Sequence, residues 1–118
     1  MEVQIFGVKK SADTRKALRF FSDRRIKTHF VDLGERPASA GELKRFAQKF
    51  GVEGIMDRES KRFVELGLRH ATMSEARWLE KLMFEPLLLR MPLVRQLGGG
   101  SALTVGDAEA EWKSWAAK

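Results

Sequence analysis

The chain has no cysteine, no tyrosine and only two histidines in 118 residues. Without cysteine there is no disulfide, no thiolate metal site, no iron–sulfur cluster and no thiol nucleophile. His29 and His70 stand far apart, and neither falls in a zinc-binding spacing such as HExxH. No metal and no cofactor is therefore expected. Any chemistry falls to hydroxyls, carboxylates, amines and guanidiniums. Long apolar runs are also lacking, so no segment is expected to span a bilayer. Met1-Glu2-Val3-Gln4 has no basic stretch leading into an apolar one, and no signal peptide is expected. The cytoplasm is the compartment left by default.

What is present suits one globular domain over 1–118. The hydrophobic share of 43% is too high for a disordered chain, and the length leaves no room for two independent cores. Lys and Arg number 22 against 16 acidic residues, for a formal charge of +6. Eight of those cations, from Lys9 to Lys27, crowd the first quarter. A basic stripe is the electrostatic footprint of a phosphate backbone. Here it comes without a helix-turn-helix or an aromatic-interleaved RNA motif. Nucleic acid is not the expected partner, and a solvated basic face is the plainer reading.

Hydropathy orders the elements. Val3-Gln4-Ile5-Phe6 alternates as a strand does, and Gly7 ends it. Ser11 is a good helix N-cap, and Thr14, Ala17, Leu18 and Phe21 then share one helical face as far as about Arg24. Thr28 to Leu33 reads as a second strand, parallel to the first across a βαβ crossover. Ser39 and Glu42 match a capping box ahead of the stripe Leu43, Phe46, Ala47 and Phe50, with Gly51 as a C-terminal stop. A short helix is expected near Ile55, another from Ser60 to Leu66, and a third from the Thr72–Glu75 signal to Pro86. Pro92–Arg95 and Ser101–Val105 read as two strands around a Gln96–Gly100 loop. Gly106-Asp107 is expected to cap a last helix bearing Trp112 and Trp115. The predicted class is α/β: a mixed sheet built from βαβ then ββα, with halves at about 1–35 and 86–118 and a helical insertion at about 36–85.

Four motifs in this order carry a resemblance. Phe6-Gly7-Val8-Lys9-Lys10-Ser11 with Arg15-Lys16-Ala17-Leu18 is similar to the YGIxxCxxxRKAL opening of the arsenate reductase (ArsC)/Spx family. Arg62 to Leu68 is similar to its xxELGL stretch, Glu85 to Val94 to its xPxLIxRPxv segment, and the closing tryptophan helix has a counterpart. The resemblance implies a thioredoxin-like fold. It also places Ser11 where the family has its nucleophilic cysteine. A serine hydroxyl is far less acidic than a thiol and has no redox ladder, so it does not replace that cysteine.

The resemblance also implies anion-binding arginines, and two are displaced. Met91 precedes Pro92 where the family has Arg-Pro, with Arg90 one place earlier; Asp57 takes another arginine position, with Arg58 beside it. One step along a strand turns a side chain to the other face, so Arg90 is not equivalent. Pro92 matches the proline that is cis in thioredoxin-like folds.

Each feature has a bland reading beside the functional one. Ser11 is a vestigial nucleophile or a plain cap. Lys9, Lys10, Ser11 and Arg15, with Arg58, Arg90 and Pro92, are the candidate anion-binding residues, or else a solvated basic loop with structural arginines. Trp112 and Trp115 are core or an exposed platform. Gly98-Gly99-Gly100 is no phosphate loop, since no Lys-Ser/Thr follows. Three functions follow. The first is a non-catalytic protein-interaction or regulatory module with no catalytic residue. The Spx branch, whose members bind RNA polymerase, implies the transcription machinery as its protein partner, and the basic first helix and the tryptophan helix are the surfaces it would use. The second is an arsenate reductase-like oxidoreductase. The third is a binder of an inorganic oxyanion or small ligand at the N-terminus of helix one.

Overall fold

A computed structural model describes residues 1–117. In chain order the elements are β1 (Glu2–Gly7), α1 (Ala12–Asp23), β2 (Lys27–Asp32), α2 (Ala40–Gly54), α3 (Lys61–Glu65), α4 (Glu75–Phe84), a 3₁₀ turn (Pro86–Leu88), β3 (Leu93–Leu97), β4 (Leu103–Val105) and α5 (Glu109–Ala116). They fall into two compact units, Met1–Arg36 with Met91–Lys118 and Pro37–Arg90.

The first unit holds a four-stranded sheet in the order β2-β1-β3-β4. β1 and β2 run parallel, with Val3 opposite Thr28 and Ile5 opposite Phe30. β3 is antiparallel to β1 and β4 is antiparallel to β3. The alternation in β1 sends Val3 and Ile5 to one face, where they meet Val94, Ala17, Phe20, Phe21, Trp112 and Trp115. Helices α1 and α5 thus share one core. Phe21 and Trp115 stack with ring centroids 6.3 Å apart. Trp112 is fully buried, and its indole N–H donates to Thr104 Oγ1 at 2.9 Å, so burial leaves no orphan donor. Each such aromatic contributes about 2–3 kcal/mol of burial. Both tryptophans are core, and the exposed aromatic platform is excluded.

The strand ends differ from expectation. β3 continues to Leu97, because Gln96 N–H still finds the Ala102 carbonyl at 2.8 Å. Gly98 and Gly99 then turn the chain at φ 60° and 84°, a region that only glycine enters freely. Ala108, not Asp107, is the N-cap of α5, while Asp107 Oδ1 accepts the Glu109 N–H at 3.3 Å.

The second unit is helical. Its core gathers Leu43, Phe46 and Ala47 of α2, Phe63 of α3, Trp78 and Leu82 of α4, and Leu88 of the 3₁₀ turn. The capping box forms as read: Ser39 Oγ accepts the Glu42 N–H at 3.1 Å and Glu42 Oε1 accepts the Ser39 N–H at 2.8 Å. Gly51 does not end α2. It breaks the helix at φ 77° and ψ 156°, and one more turn carries on to Gly54. Pro86 opens the 3₁₀ turn, where its missing N–H costs nothing. Among the described residues no helix is long and apolar enough to cross a membrane.

Candidate functional site

Helix α1 begins at Ser11, whose φ of −75° and ψ of 120° are those of an N-cap. Its Oγ accepts the Thr14 N–H at 3.2 Å. Three other helices start the same way. Ser39 accepts from Glu42, Ser60 from Phe63 at 3.3 Å and Ser74 from Arg77 at 3.2 Å. The hydrogen-bond distances and the extended backbone put Ser11 in one class with these three structural caps. Among the described residues no histidine, lysine or carboxylate bonds its hydroxyl, so nothing there acts as its base.

Around it, the Ser11 N–H closes a turn on the Val8 carbonyl at 3.0 Å. Arg15 folds back from the first turn of α1, and its Nη1 donates to the Lys9 carbonyl at 2.7 Å. Lys9 and Lys10 are exposed, and among the described residues neither side chain has a partner. The loop therefore presents two free ammonium groups and a partly engaged guanidinium at the positive end of a helix. Below it Thr14 is wholly buried, and its Oγ1 has no hydrogen-bond partner among the described residues. A Cβ on Gly7 would collide with Thr14 Oγ1 and lie 2.7 Å from Thr14 Cγ2, so glycine is required at the end of β1 for α1 to seat.

Pro92 lies in the same unit, after a cis Met91–Pro92 bond, as the resemblance implies. Its carbonyl accepts the Gly106 N–H at 2.9 Å, which ties the start of β3 to the end of β4.

Arg58 and Arg90 belong to the helical unit. Arg58 is committed throughout. Nε donates to Glu53 Oε2 at 2.9 Å and Nη2 to Glu53 Oε1 at 2.5 Å. Nη1 donates to the carbonyls of Arg69 and Ala71, each at 3.0 Å, and lies 3.4 Å from that of Leu68. The guanidinium also lies 5.0 Å from the centroid of Trp78. The Arg58 fork thus pins the 68–71 loop to α2, and no pair of donors is left for a tetrahedral oxyanion. The Arg58 fork holds the Glu53 carboxyl below the usual carboxylate range, and Glu53 in turn raises the guanidinium. Arg90 differs: its backbone N–H bonds the Ile55 carbonyl at 2.9 Å, but its exposed guanidinium reaches only to 3.5 Å from the Met56 carbonyl.

Sequence reasoning overlooked an ion-pair network between α1 and α5. Lys16 Nζ donates to Asp107 Oδ2 at 2.7 Å and lies 3.6 Å from Glu109, which also pairs with Lys113 at 3.2 Å. The hydrogen bond from Lys16 lowers the Asp107 carboxyl, and that from Lys113 lowers Glu109. The i, i+4 spacing of Glu109 and Lys113 was the visible signal. The pairing to Lys16 spans the whole chain and had none. Among the described residues no group of acidic or histidine side chains is arranged to hold a metal.

The chain is similar to known proteins in sequence and fold. The profile of the ArsC family matches residues 6–115. The uncharacterised Bacillus subtilis protein YusI is 26% identical over 121 residues, spanning 98% of this chain and 100% of YusI. The structure of an arsenate reductase from Vibrio cholerae superposes with a TM-score of 0.79 at 23% identity, covering 97% of each chain. That of an arsenate reductase (ArsC) related protein from Brucella melitensis superposes with a TM-score of 0.69 at 25% identity, over 98% of this chain and 94% of its own. The mixed sheet and its helices are those of these thioredoxin-like neighbours, and the chain belongs to the ArsC family.

Proposed function

We propose that this chain is a non-catalytic member of the ArsC family that works as a protein-interaction module. One observation carries the reading: at the position of the family's nucleophilic cysteine, Ser11 makes the same N-cap bond as Ser39, Ser60 and Ser74. A helix N-terminus activates a thiol by stabilising its anion, but a hydroxyl begins many pKa units higher and stays protonated. Arg58 adds support, since its donors are committed inside the helical unit. The Spx branch offers the transcription machinery as one class of partner.

The test is arsenate turnover by the purified chain with glutathione or a dithiol as reductant. The expected result is no reduction above the protein-free rate, for the wild type and for Ser11→Cys alike, although the variant gains a titratable thiol. Thiol-dependent turnover by the wild type would overturn the reading.

A second reading rests on Lys9 and Lys10, two cations at the positive end of α1 that have no partner among the described residues: a site for an inorganic oxyanion. Its test is a thermal-shift titration with arsenate, phosphate and sulfate at low ionic strength. A saturable rise that Lys10→Glu abolishes supports an oxyanion site, and a flat response removes it.

A further inference from the structure

The sheet unit carries a groove of about 600 Å³ along the outer face of α1, with α5 as its second wall. Its α1 wall is a stripe at helical spacing, in which Arg15, Lys16 and Arg19 lie above Asp23; α5 supplies Glu109 and Lys113. Arg19 is exposed and, among the described residues, has no partner at all. Arg15 uses only Nη1, on the Lys9 carbonyl. One helical turn apart, the whole Arg19 fork and the Nη2 side of Arg15 are thus left without a partner among the described residues.

We propose that this groove is a docking site for an acidic segment of a partner protein. The proposal rests on the interaction-module reading and names the surface and the chemistry that the module would use. The groove runs from Ala12 to Asp23, about 16 Å of helix, which is the span of roughly five extended residues. Arg15 and Arg19 suit carboxylates because each fork takes one in bidentate geometry. The groove also contains acceptors. Asp23 and Glu109 stand among the cations, and a peptide backbone or a basic side chain of a mixed sequence can donate to them.

Asp23 and Glu109 repel phosphates and carboxylates alike, so the acidic side chains of the segment belong over Arg15 and Arg19, away from those two. What argues against a single-stranded nucleic acid is the lack, among the described residues, of a stacking platform for bases in this groove. Phe20 is only 6% exposed, and the Arg24 guanidinium already sits 3.6 Å from its ring centroid. The buried Trp112 and Trp115 offer nothing to the surface. Recognition here is by charge and fork geometry, so it weakens with salt.

The experiment is fluorescence anisotropy at low ionic strength, using a fluorescein-labelled heptapeptide of glutamate and glycine. Controls are its glutamine counterpart and a labelled oligothymidylate of equal length. Expected is saturable binding of the glutamate peptide, weakened about tenfold by Arg19→Glu and again by Lys113→Glu, with the glutamine peptide unbound. Arg45→Glu, the same charge reversal on an exposed site of the helical unit, leaves affinity within about twofold. Circular dichroism and the melting curve confirm that each variant folds. Three outcomes overturn the proposal. One is equal loss on Arg45→Glu, which means unspecific charge. Another is tighter binding of the oligonucleotide, lost on Arg19→Glu, which assigns the groove to nucleic acid. The third is no binding of the peptide. Failure here leaves the turnover assay untouched, and arsenate turnover leaves the peptide affinities as measured, so the two readings fail separately.

Discussion

Arg58 and Arg19 are the same side chain used in opposite ways. In the helical unit Arg58 turns inward, stacks near Trp78 and places every nitrogen on a carboxylate or a carbonyl. In the sheet unit Arg19 lines an open groove and, among the described residues, touches no acceptor. A guanidinium surrounded by carbonyl oxygens is structural, because removing it strands those oxygens. A guanidinium facing water contributes almost nothing to folding and is available to a partner. The difference shows that charge alone does not separate a structural arginine from one whose donors are left free, and that the hydrogen bonds around it do.

The sharpest way to break the contrast is Arg58→Ala. It strips the 68–71 loop of its anchor and Glu53 of its partner, and is expected to cost about 2–4 kcal/mol in chemical denaturation. Arg58→Lys should recover little, since an ammonium cannot bridge Glu53 and the loop carbonyls together. A cost under about 0.5 kcal/mol would remove the structural assignment.

Gly7→Ala comes next. The added methyl meets Thr14, which is buried and held by α1, so about 1–3 kcal/mol should be lost. Thr14→Val should run the other way, matching or exceeding the wild-type melting temperature, because it removes a buried hydroxyl that has no partner among the described residues.

Ser11→Ala and Ser74→Ala should cost about 1 kcal/mol each, since each cap accepts the N–H three residues on at 3.2 Å. A Ser11→Ala protein as stable as the wild type would separate Ser11 from the structural caps and reopen a functional role for it.

Acid sharpens the comparison further. The carboxyls of Glu53 and Glu85 are lowered chiefly by hydrogen bonds from Arg58 and Arg62. A lowered carboxyl binds fewer protons when folded than when unfolded. Its stabilisation is therefore complete above the ordinary glutamate value of 4.5 and is lost as pH falls through the folded value. Stability should drop on acidification below that point, and by less in Arg58→Ala than in the wild type. A parallel fall in both would contradict the assignment. The smallest effect belongs to Arg19→Gln, which should change stability by less than about 0.5 kcal/mol while weakening acidic-peptide binding.

Much of the fold was legible because its signals are local. Ser11, Ser39, Ser60 and Ser74 each sit where a helix starts, and each helix starts there. The alternation of Val3 and Ile5 placed β1, and the helical spacing of Thr14, Ala17, Leu18 and Phe21 placed the inner face of α1, while only the packing decided that Trp112 and Trp115 are core. The ends of β3 and α2 were less legible. A strand continues for as long as a neighbour's carbonyl is in reach, and Gly51 can bend a chain that then resumes its helix. The site was legible in part. Lys9, Lys10, Ser11 and Arg15 do share one loop and helix start. Arg58 looked like a displaced anion ligand, since one residue's shift says nothing about which way a long side chain turns.

The sequence by itself determined the absence of a thiol, the serine caps, the order of strands and helices, and the family. Those follow from residue identity and short-range spacing. Only the tertiary structure decided which cations are free. Whether a guanidinium finds a carboxylate five residues away, three loop carbonyls, or water depends on how helices and loops distant in sequence pack around it. Arg58 was enclosed by that packing, and Arg19 was left outside it.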